Sequence, residues 1–89
     1  MQSFTVTKEL CGSAVRFDCV NRPDALPYRV TVYKSYVNGS PIWRYFKCVP
    51  DFNISDVVIT EISHEKYRKW KQIADDFIWA RFEEVNGLD

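Results

Sequence analysis

Glycine, histidine and net charge are all in short supply in this chain, and each shortage removes a class of function. Only three glycines occur in 89 residues. None forms a loop rich enough to bring several backbone N–H groups onto a phosphate. The single histidine, His64, and three dispersed cysteines, Cys11, Cys19 and Cys48, include no C-x-x-C spacing. They do not supply the three or four converging ligands a metal centre requires. Three thiols are also too few, and too odd in number, for a disulfide framework. Free thiols are expected, with a Cys19–Cys48 bridge reserved for an exported protein. Twelve basic side chains cancel twelve acidic ones, so the basic excess that drives phosphate neutralisation in nucleic-acid binders is missing. No apolar run nears the roughly 18 residues of a membrane span. Met1-Gln2-Ser3-Phe4 lacks the basic and apolar regions of a secretory signal. The expectation is a cytoplasmic chain without membrane attachment, in which the sequon Asn53-Ile54-Ser55 carries no meaning.

Catalytic chemistry is equally thin. A nucleophile–His–acid arrangement would have to bring His64, at a helix start, onto a cysteine or serine of the sheet, and no spacing points to that. Asp75-Asp76 and Glu83-Glu84 are adjacent pairs, but neighbouring helix residues point about 100° apart and share no site. The sequence therefore reads as non-enzymatic, with no cofactor and no metal.

What the chain does have is aromatic surface. Phe, Trp and Tyr make up 16% of it, within an apolar fraction of 46%. That suits one folded domain over residues 1–89. Phe4-Thr5-Val6-Thr7 alternates as a strand, Cys11-Gly12-Ser13 breaks it, and Val15, Phe17 and Cys19 alternate as a second strand. Residues 21–27 contain two prolines and form a loop. Two further strands lie within residues 28–49, closed by Pro50-Asp51-Phe52-Asn53. The segment 55–62 is ambiguous between a short fifth strand and a helical turn. Ser63 then caps a helix over 64–86, which carries Tyr67, Trp70, Ile73, Ala74, Phe77, Ile78 and Val85 on one stripe. Gly87 suits the position after its end. The fold class is α+β: a four-stranded, mainly antiparallel sheet in ββββα order, with a possible short fifth strand and one long C-terminal helix packed on one face. At about 34 Å, the helix outruns a strand of roughly 27 Å, leaving Phe82 and Val85 in the overhang.

The central hairpin turns at Asn38-Gly39. A three-residue loop, Val37-Asn38-Gly39, would pair Tyr36 with Ser40, Tyr33 with Trp43 and Thr31 with Tyr45. One face then holds Tyr28, Val30, Val32, Ile42, Phe46 and Cys48 as core. The other holds Tyr33, Trp43 and Tyr45, edged by Arg29 and Lys47. One helix cannot cover both faces, so the second reads as an aromatic strip waiting for a partner. On the helix, Trp79 falls opposite the apolar stripe and beside Arg68. It is read either as an interface anchor or as packed against a loop. The basic start of the helix, with Arg68, and its acidic end both oppose the helix dipole, and Arg81 is read as structural.

These residues (Arg29, Tyr33, Trp43, Tyr45, Lys47, Arg68 and Trp79) define the expected partner-binding set. The function expected is that of a small protein-binding module that occludes a site on a larger protein. Short neutral α+β chains without catalytic groups are common among phage and mobile-element inhibitors of bacterial defence enzymes, and this chain fits that profile by analogy. The alternative is a single-stranded RNA or DNA binder that stacks bases on the same strip. A homodimer through Trp79 and the overhanging turn is a third arrangement.

Overall fold

The computed structural model describes residues 2–86, with side-chain surroundings described through Ala80. The position of Gly87 and the side chains of Arg81, Phe82, Glu83, Glu84 and Val85 therefore lie outside the described residues. Five strands precede the helix: β1 Ser3–Leu10, β2 Ser13–Val20, β3 Arg29–Val37, β4 Ser40–Asp51 and β5 Asp56–Ile62, followed by α1 His64–Asn86. The α+β class and the single C-terminal helix match expectation. The four-stranded sheet does not. β1 and β2 form a separate two-stranded antiparallel sheet, while β3, β4 and β5 form a three-stranded antiparallel one in sequence order. The ambiguous segment is a full strand, because Val57, Val58 and Ile59 are β-branched and β4 runs on through Pro50 to pair with it.

Local chemistry explains the turns. β1 and β2 are joined by Cys11 and Gly12, both at positive φ (51° and 81°). β3 and β4 are joined by Asn38 and Gly39, again both positive (51° and 78°). Two consecutive positive φ values are the mark of the two-residue hairpin turn whose twist matches its strands. The central loop is thus two residues long, and Val37, not Tyr36, pairs with Ser40.

That single residue of slip turns one strand over relative to the other. Tyr33 pairs with Arg44, Lys34 with Trp43, Thr31 with Phe46 and Val32 with Tyr45. One face of the three-stranded sheet now presents Arg29, Thr31 and Tyr33 beside Phe46, Cys48 and Val57. The other presents Val30, Val32, Lys34 and Tyr36 beside Trp43, Tyr45 and Lys47.

Each face has its own cover. The β1–β2 ribbon lies on the first, where Leu10, Val15 and Phe17 meet Phe46, Cys48 and Val57 in the buried core. Lys8 ties the ribbon to β5 by an ion pair with Asp56 at 3.0 Å. The helix lies on the second. Ser63 caps it, its Oγ accepting from the Lys66 N–H at 3.2 Å. Tyr67, Trp70, Ala74 and Phe77 form the inward seam, with Ala74 buried and the three rings half-buried, whereas Ile73 and Ile78 are exposed. The result is a thin, three-layer body measuring 50 × 32 × 17 Å. Its radius of gyration is 15.2 Å, against roughly 12 Å for a compact chain of this length.

Candidate interaction surface

The expected aromatic strip does not exist as one surface. Its members fall into three places, because the register places Tyr33 and Trp43 on opposite faces and the helix covers Tyr45 but not Trp43. Tyr33 and Arg29 lie on the ribbon side. The Tyr33 ring is 6.5 Å from that of Phe46, and the Arg29 guanidinium carbon lies 5.2 Å over the Phe17 ring. Tyr45 and Lys47 lie under the helix. Tyr45 packs between His64 at 5.0 Å and Tyr67 at 4.9 Å, centroid to centroid. Lys47 Nζ sits 3.7 Å from the Trp70 ring centroid and 5.3 Å from that of Tyr28.

Tyr28 completes this second cluster. Its ring meets Trp70 edge-on at 5.2 Å, and its hydroxyl donates to the Trp70 backbone carbonyl at 2.8 Å. Burial pushes the phenol up from its ordinary value, so it stays a donor across the physiological range.

Trp43 is different. It shares a face with Tyr45 but lies two residues farther along β4, or about 7 Å. The helix begins at the level of Tyr45, and β5 reaches no farther than Tyr45 either. Beyond that line the β3–β4 pair continues without a third strand, and its tip, residues 36–43, stands clear of both covers. Trp43 is 58% exposed and Tyr36 63%. The two are diagonal neighbours on one face of the ribbon, since Lys34 pairs with Trp43 and Tyr36 with Pro41. Val37 and Ile42 are exposed on the opposite face. Lys34 Nζ lies 5.6 Å from the Tyr36 ring centroid, and at the base of the ribbon Arg44 holds Glu61 through two hydrogen bonds of 2.9 and 2.8 Å. That pairing holds the Glu61 carboxyl below its usual range and raises the guanidinium.

Arg68 and Trp79 are on the helix, both solvent-exposed, Trp79 at 59%. They stand eleven residues apart, roughly 16 Å along the axis. Arg68 borders a shallow polar depression with His64, Glu65, Lys69 and Gln72. Lys71 and Asp75 form an i,i+4 ion pair at 3.2 Å.

Sequence reasoning passed over Tyr36, Val37 and Ile42. The Asn-Gly pair itself was the missed signal: a two-residue loop was the first reading it supported, and that loop puts Tyr36 beside Trp43.

Among the described residues, no three His, Cys, Asp or Glu side chains cluster as metal ligands, and no helix is long and apolar enough to cross a membrane. The three thiols are free. Comparison with protein-family models, curated proteins and solved structures finds no match.

Proposed function

We propose that this chain is a non-enzymatic protein-binding module that docks the projecting β3–β4 tip on a larger partner and occludes the site it enters. The observation that carries this reading is the pair Tyr36 and Trp43, two large rings left in water at the end of a narrow ribbon. Aromatic side chains at a protruding tip bury much area at little rotamer cost and are the residues most enriched among binding hot spots. Val37 and Ile42 on the reverse of the ribbon give it an apolar surface on both sides, which suits entry into a cleft better than contact with a flat surface. A defence enzyme of a bacterial host is the partner class that the size and neutral charge of the chain suggest by analogy.

Base stacking is less well supported. It relied on Tyr33, Trp43 and Tyr45 forming one open platform, and these rings are divided between two faces, with Tyr45 beneath the helix.

The test is affinity capture from the native host with the natural chain, with Tyr36→Ser/Trp43→Ser, and with Trp79→Ala. A partner retained by the natural chain and by Trp79→Ala, resistant to nuclease and little affected by salt, but lost with the tip variant, is the expected result. Capture that survives the tip variant would remove the tip from the reading. Capture that collapses with nuclease and rising salt would replace the protein partner with a nucleic acid.

A further inference from the structure

A second site lies on the ribbon side of the sheet, away from the tip. Where β2 ends, the loop 21–27 passes over the starts of β3 and β5 and leaves a cleft of about 240 Å³. Its apolar wall includes Phe17, Cys19, Leu26, Cys48 and Val57, and Arg22 and Arg29 are its two cationic members. Phe17, Cys48 and Val57 are core residues, exposed by 4%, 1% and 4%, so the floor of the cleft is the edge of the packed core. The volume falls below the roughly 300–1,000 Å³ of drug-sized sites. Only a small ligand fits.

The charges around the cleft select its sign. Asp18 also borders it, but its carboxylate is taken by the Thr5 hydroxyl at 2.8 Å and by Arg16 at 3.0 Å. Arg22, at the rim, has Asp24 3.8 Å away. Arg29 has no ion pair and no side-chain hydrogen bond among the described residues; its guanidinium carbon lies over the Phe17 ring, and its charge acts on the neighbouring Cys48 thiol. A cation–π contact uses the face of the ring and leaves the N–H donors of the guanidinium for a planar anion. An unpaired arginine beside an apolar slot is complementary to a molecule with an anionic head and a short hydrocarbon tail.

We propose that this cleft binds a small amphipathic anion of the short-chain monocarboxylate class, its tail against Phe17, Cys48 and Val57 and its carboxylate on Arg29. Nothing in this assignment depends on what the tip binds. The thiols take no covalent part. Burial raises both Cys19 and Cys48 above the ordinary thiol value, which keeps them as neutral lining.

The test is a titration of the full chain followed by amide ¹H–¹⁵N shifts, with sodium hexanoate, sodium butanoate, hexylammonium chloride and hexan-1-ol as probes. Hexanoate should give saturable shifts at Phe17, Cys48 and Val57 in the millimolar range. Butanoate should bind on the order of tenfold more weakly, since each buried methylene is worth about fourfold. Hexylammonium should give no saturable shifts. Arg29→Gln, at an exposed position, should weaken hexanoate by roughly tenfold or more while leaving hexanol unchanged. Absence of saturable shifts with hexanoate, equal binding of hexylammonium, or an affinity unmoved by Arg29→Gln would each overturn the proposal. Should Arg29→Gln fail to fold, the head-group and chain-length series in the natural chain decides it.

Discussion

The ammonium nitrogen of Lys47, on β4, sits 3.7 Å from the ring centroid of Trp70, on the helix. With Tyr28 edge-on to the same ring and bonded to the Trp70 carbonyl, this contact fixes both the position and the rotation of the helix on the sheet. Trp70→Ala should therefore cost about 2–4 kcal/mol, somewhat less than for a fully buried tryptophan because Trp70 is only half-buried. Lys47→Met keeps the packed stem and loses the charge over the ring, about 1 kcal/mol. Urea denaturation followed by tryptophan fluorescence and by far-ultraviolet circular dichroism checks both. Equal losses for the two variants would mean that the charge, and not the ring, holds the helix.

Gly39 has a φ of +78°, and open space surrounds the position where a Cβ would stand. A substitution there meets no neighbour and bears only the conformational penalty. Gly39→Ala should lower stability by about 1 kcal/mol without altering the core. Chemical denaturation gives the magnitude, and unchanged amide shifts at Phe46 and Cys48 would establish that the register is kept.

Acid should loosen the attachment of the ribbon. The Asp56 carboxyl accepts from the Val57 N–H at 2.8 Å and from Lys8, and these hold it below its ordinary value of 3.8, the backbone bond being the larger cause. A carboxylate whose pKa is lower folded than unfolded contributes stability above the unfolded value, and that stability drains as pH falls through the folded one. Stability should thus be flat from neutrality to about pH 5 and decline below about pH 4. Asp18 and Glu61, lowered by Thr5 and Arg44 respectively, add slope of the same sign. Asp56→Asn should flatten the acid limb, as read from melting temperatures between pH 2.5 and 7.

Cys48 is 1% exposed, and burial pushes its thiol up from 9.0. An aromatic disulfide reagent at pH 8 should label Cys11 and Cys19 in the native protein, while Cys48 reacts only at the rate of unfolding. The raised value also sets the alkaline sign: stability is present below pH 9.0 and falls above it, where the unfolded thiol ionises first. Single-cysteine variants assayed with the reagent distinguish the three sites.

Much of the chain could be read from residue pattern alone. Ser63 announced the helix start, the alternation in Val15-Arg16-Phe17-Asp18-Cys19 announced β2, and the fold class followed. The pairing register could not be read so directly. Both hairpin strands carry apolar residues at odd and even positions, since Val30 and Val32 go one way and Tyr33 the other, so either parity yields a plausible core. Only the loop length separates the two, and one residue of error moves every ring on one strand. The two-sheet division was hidden for a related reason. Pattern marks which face of a strand is apolar, not which apolar face it meets, and the ribbon β1–β2 meets a face that joins Phe46 and Cys48, which the slipped register had assigned to the core, to Arg29, Thr31 and Tyr33, which it had assigned to the open side. That is why Tyr33 and Arg29 read as partner-binding residues, whereas in the fold they lie against Phe46 and Phe17. Trp43 kept its exposure under either parity because it lies beyond both covers.

Every strand in this molecule is bonded to the strand before or after it in the chain, joined through turns of two to four residues. Each ribbon can therefore zip from its own turn before the layers have met, and hairpins of this kind close in microseconds. No strand has to wait for a distant segment to return, which is the step that slows most β-rich folds. The chain should reach its native state quickly, with the ribbon-to-sheet and helix-to-sheet contacts forming last.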